Sequence, residues 1–106
     1  MLVKSIGSGE FNQLLPSHLA LESLMAGQVE WFGNKTRNLI GTIAAGKGEA
    51  DWNYAILKRN KVGNFRVCDV RVNFYSHRAA RADFLLAMKG AGPSRPDNVP
   101  RMVCSE

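Results

Sequence analysis

Gly41, Gly46 and Lys47 have the spacing of a phosphate-binding P-loop, where backbone N–H groups and a lysine cradle phosphate oxygens while a following hydroxyl holds magnesium. Position 48 is glycine rather than serine or threonine, and residues 39–45 read as a strand, not as a glycine loop opening a helix. A hairpin turn with a basic tip fits this stretch better. His18, His77, Cys68 and Cys104 are the side chains suited to metal binding or nucleophilic attack. None falls in C-x-x-C, H-x-x-x-H or H-x-E spacing. Glu49, Asp51, Asp69 and Asp83 are scattered over a turn, a strand and a helix, with nothing to pair two of them as acid and base. We therefore expect no enzyme and nominate no catalytic residue, metal ligand or cofactor.

The chemistry that is concentrated is positive charge. From Lys58 to Arg81 there are seven basic residues and one acidic residue, Asp69, a local excess of +6 in a chain whose formal net charge is +5. Such a field points toward a polyanionic partner. Lys58, Arg59, Arg66, Arg71, Arg78 and Arg81 are the candidate contacts to a nucleic acid or an acidic protein surface. Aromatic residues interleave with them, as where bases stack while phosphates pair with Arg and Lys. Most of these rings must build the core, which leaves Tyr75, and after it Trp52, as the rings for a surface role.

The frame for this patch is small. A chain of 106 residues with 45% hydrophobic and 22% charged residues is expected to form one globular domain. It has no apolar run near the roughly 18 residues of a membrane span. Residues 1–9 lack the apolar stretch of a signal peptide, so a cytoplasmic protein without membrane contact is expected. Cys68 and Cys104 do not resemble a disulfide framework and read as free thiols.

Residues 1–9 carry Gly and Ser without periodicity and residues 91–106 hold three of the four prolines, so both ends read as flexible around a domain at 10–90. A short helix is expected over 17–26, capped by Ser17 and stopped by Gly27, with Phe11, Leu14 and Leu15 extending it or packing beneath it. Val-, Ile- and aromatic-rich runs at 28–33, 38–45, 52–59 and 64–74, broken by turn residues, predict four antiparallel strands in a meander. A last helix follows from the cap Ser76 to Lys89, with Ala80, Phe84, Ala87 and Met88 on its buried face and Arg78, Arg81, Leu85 and Lys89 outward. The fold class is α+β, a four-stranded antiparallel meander with a short N-terminal helix and a C-terminal helix packed on the sheet.

The fourth strand decides whether the patch exists. Phe65 and Val67 alternate in one phase, and Val70, Val72 and Phe74 in the other. One extra residue near Cys68 and Asp69 would put all five on one face and Arg66, Arg71, Asn73 and Tyr75 on the other. A regular strand, apolar on different faces in its two halves, would send Arg66 and Arg71 to opposite sides.

Trp31-Phe32, Ile40-Gly41, Asp51-Trp52-Asn53-Tyr54 and Gly63-Asn64-Phe65-Arg66, followed by Ala80-Arg81, resemble a group of small bacterial proteins without an assigned activity. The resemblance covers about residues 28–88 and implies a recurring sheet-and-helix domain. Locally, His77-Arg78-Ala79-Ala80-Arg81 is similar to the basic start of the last helix in double-stranded-RNA-binding domains, where such residues meet phosphates. The leading expectation is a non-enzymatic module that holds nucleic acid. A protein-interaction or homodimerising module stands beside it, and a small enzyme is third.

Overall fold

The computed structural model describes residues 3–15, 27–46 and 51–89. They form β1 (Val3–Ser5), α1 (Ser8–Leu14), β2 (Gln28–Asn34), β3 (Leu39–Ala45), β4 (Trp52–Arg59), β5 (Phe65–Phe74) and α2 (His77–Lys89), with a 3-10 turn at Lys35–Arg37. The strands lie in one sheet in the order β1-β2-β3-β4-β5, each antiparallel to its neighbour. The α+β class and the meander are as expected, but the sheet has five strands rather than four. The extra strand, β1, falls in the segment read as flexible and pairs Val3 with Asn34 and Ser5 with Phe32. Three residues are too few for alternation to show in a sequence. The helix expected over 17–26 lies outside the described residues apart from its flanks, as does the tail beyond Lys89.

Both faces of the sheet are covered, which explains why β3 and the centre of β4 are apolar without alternation. On one side α2 lays Ala80, Phe84, Ala87 and Met88 over Phe32, Leu39, Ile43, Tyr54 and Ile56. On the other side Phe11 of α1 is fully buried among Ile40, Ala44, Ala55, Leu57 and Phe65, with Leu14 and Leu15 packed against them. Phe11 and Leu14 thus reach the sheet from α1 and Leu15 from just after it; how they stand to the helix expected over 17–26 lies outside the described residues.

Short polar devices fix the connections. The turn after β2 falls at 35–38, and Gly33 and Asn34 both belong to the strand. Asn34 Oδ1 accepts from Arg37 N at 3.3 Å, and Asn38 closes the turn in the left-handed conformation at φ 56°. Asn60 Oδ1 accepts from Val62 N and Asn64 N, and Gly63 at φ +98° completes the hairpin between β4 and β5. Ser76 Oγ accepts from Ala79 N at 3.2 Å, the cap read from the sequence.

Asn34 also ties the two layers together. It is 1% exposed, and its Nδ2 donates to the Met88 carbonyl at 2.8 Å, holding the end of α2 on β2. Asn34→Ala removes this bond and leaves a buried carbonyl without it. A loss of about 1–3 kcal/mol is expected in a urea titration, with the slope of the transition unchanged.

Candidate nucleic-acid interface

The site begins with a bulge. Ile56 pairs with Asp69 and Leu57 with Val67, so Cys68 is the extra residue of β5, at the position where the phase of its apolar residues changes. Directly opposed residues of an antiparallel pair point to the same side. Arg66 faces Lys58 and Arg71 faces Tyr54, whose ring belongs to the α2-side core. Arg66, Arg71 and Lys58 therefore share the α2 side, while Phe65, Val67 and Val70 share the other. A second irregularity lies between the Trp52–Phe74 and Tyr54–Arg71 pairs, with Asn73 at φ 67° and its N–H donating to Asn53 Oδ1. It returns Phe74 to the α2 side, against the expectation that Phe74 would stay with the valines. There Phe74 stacks on Tyr54 at 5.7 Å, and the Arg71 guanidinium sits 6.0 Å from its ring centroid.

Arg71 is half-buried, and its Nη1 has no hydrogen-bond partner. Arg66 is exposed, and the Lys58 ammonium donates to the Arg37 carbonyl at 3.1 Å. Among the described residues none of these three makes an ion pair with a carboxylate. Asp69 lies on the same side, opposite Ile56 and 1% exposed. Arg78 is exposed two residues before the buried Ala80, on the outer side of α2, and Tyr75 is 84% exposed between strand and helix.

Two of the sequence candidates leave this row. Arg59 faces the α1 side, where its guanidinium lies 4.9 Å from the Phe65 ring centroid. Arg81 was expected to point outward but reaches across α2 toward β2. Its Nε is 3.5 Å from Glu30 Oε2 and its guanidinium 5.6 Å from the Phe32 ring centroid. Leu85, from the same expected outward row, packs against the α2-side core. Trp52, the second ring proposed for the surface, is half-buried and lies 4.8 Å from the His77 imidazole.

No protein-family model, curated protein or solved structure matches the chain. The geometry of its own residues must carry the functional reading.

Sequence reasoning missed the Glu30 cluster. His77 Nε2 lies 2.5 Å from Glu30 Oε1, and with Arg81 it pins the start of α2 to β2. The alternation of Glu30 with Phe32 was the available signal, because it places both side chains on one face. The Tyr54 hydroxyl likewise donates to Asp83 Oδ2 at 2.6 Å, joining β4 to α2. Cys68 is 8% exposed and disulfide-bonded, which corrects the reading of a free thiol; Cys104 lies outside the described residues. No helix among the described residues is long and apolar enough to cross a membrane.

Proposed function

We propose that this protein is a small non-enzymatic binding module that holds a nucleic-acid backbone along β5 and the outer side of α2. The observation that carries the reading is the bulge at Cys68, which brings Arg66 and Arg71 to one side of the sheet beside Lys58. Arg78 extends the row onto the helix, and Tyr75 offers a ring on which a base can stack. Arg59 and Arg81 have no part in it.

A gel-shift series with duplex and single-stranded oligonucleotides over rising salt tests this directly. The protein should bind at low salt and weaken steeply as salt rises. Arg66→Ala and Arg71→Ala should each flatten the log–log salt slope by about 0.7–0.9, the value of one lost phosphate contact. Absence of binding at low salt would overturn the proposal.

A protein contact is the second reading, favoured by Val70 and Val72, which are 38% and 55% exposed on β5. It predicts a complex that is indifferent to salt. Pairing of β5 with a second copy along its edge is opposed by its two irregularities and by Arg66 and Arg71, features that blunt an edge strand.

A further inference from the structure

On the sheet face away from the arginine row, at the end where β1, the 3-10 turn and the β4–β5 hairpin meet, there is a partly open cleft of about 780 Å³. Its size lies within the roughly 300–1,000 Å³ of small-molecule sites. Ile40 and Phe65, both 4% exposed, form its floor, and the half-buried Ile6 and Leu14 are its walls. Around this apolar base stand Lys4, Lys35 and Arg59, with Glu10 as the one acidic group among the described lining residues. Lys4 reaches the cleft because it pairs with Gly33, which lies against Ile6 on this face. Arg59 reaches it because β4 turns it away from Lys58 and over the Phe65 ring.

We infer that this cleft binds a small amphipathic carboxylate, with an alkyl or aryl body on Ile40 and Phe65 and its acid group among Lys4, Lys35 and Arg59. Among the described lining residues three cations against one carboxylate leave a formal excess of two positive charges around the apolar floor, which is complementary to a ligand with one anionic end. A phosphate chain has no body to cover the floor, and an apolar cation would face the lysines with like charge. The site is independent of the nucleic-acid row, since it lies on the other face and shares none of Lys58, Arg66 or Arg71.

The experiment is an amide-resolved NMR titration of the full chain with octanoate, run in parallel with octylamine and with inorganic phosphate at matched ionic strength. Octanoate should give saturable shifts at Gly33, Asn38, Ile40 and Phe65, and the other two should not. Lys35→Glu, an exposed change in a turn, should weaken octanoate by at least about tenfold, as expected for reversing one charge-assisted contact. Arg59→Gln should weaken it in the same direction, and its unliganded spectrum shows whether the fold is intact. The inference is overturned if octanoate shifts no cleft residue, if octylamine shifts them equally, if phosphate alone reproduces the effect, or if Lys35→Glu binds as the parent does.

Discussion

Phe84→Ala is expected to destabilise the protein by about 3–5 kcal/mol, the usual cost of emptying a large aromatic site in a core. Phe84 is fully buried and central to the α2-side layer, with the Phe32 ring 5.3 Å from its centroid and the Tyr54 ring at the same distance in an edge-on arrangement. Truncation removes both ring contacts and opens a void between sheet and helix that rigid strands cannot close. In a domain of this size each kcal/mol moves the melting temperature by roughly 4–8 °C, so a fall of well over about 10 °C is expected by circular dichroism. Because Phe84 packs α2 against Phe32 of β2 and Tyr54 of β4, the nucleic-acid binding proposed above should fall with the folded population. A variant that melts within a few degrees of the parent would mean that α2 is not held by this ring.

Gly41→Ala is the second large effect, from the same contact approached from the sheet. A Cβ at Gly41 would stand 2.5 Å from Phe84 Cε1, 2.6 Å from Phe84 Cζ and 3.1 Å from the Ala55 carbonyl oxygen. The ring cannot swing clear, since Phe32 and Tyr54 flank it, and the carbonyl belongs to the adjacent strand. Overpacking of this kind costs about 1–3 kcal/mol, and more where backbone must shift. The mechanism has its own control. In a Phe84→Leu background the added methyl group has room, so the double variant should be more stable than the sum of the single losses, with a coupling of about 0.5–3 kcal/mol. Strict additivity in urea denaturation would show that Gly41 matters for some reason other than this contact. The glycine that suggested a phosphate loop is thus the place where β3 lets an aromatic ring approach its backbone.

Much of the scaffold was legible because it follows local rules. The phase change between Val67 and Val70 located the bulge, because a side-chain period of two cannot absorb one extra residue silently. Ser76 announced a cap through a hydrogen bond that reaches only a few residues. The site was legible only in part. Arg66 and Arg71 could be grouped once the bulge was placed, but Arg59 and Arg81 carry the same charge. Their separation came from the sheet face that β4 gives Arg59 and from a carboxylate on β2 that no nearby spacing indicates.

The sequence by itself therefore determined the strand spans of the meander, the extra residue in β5, the cap of α2 and the excess of positive charge, all consequences of interactions within a strand or a turn. Tertiary structure alone decided that β1 adds a fifth strand, that both sheet faces are buried, that Glu30 captures His77 from 47 residues away, and that the basic residues divide between an arginine row and a cleft on the opposite face. The physical reason is that charge and periodicity are properties of a segment, whereas the partner of a side chain is set by which distant element packs against it.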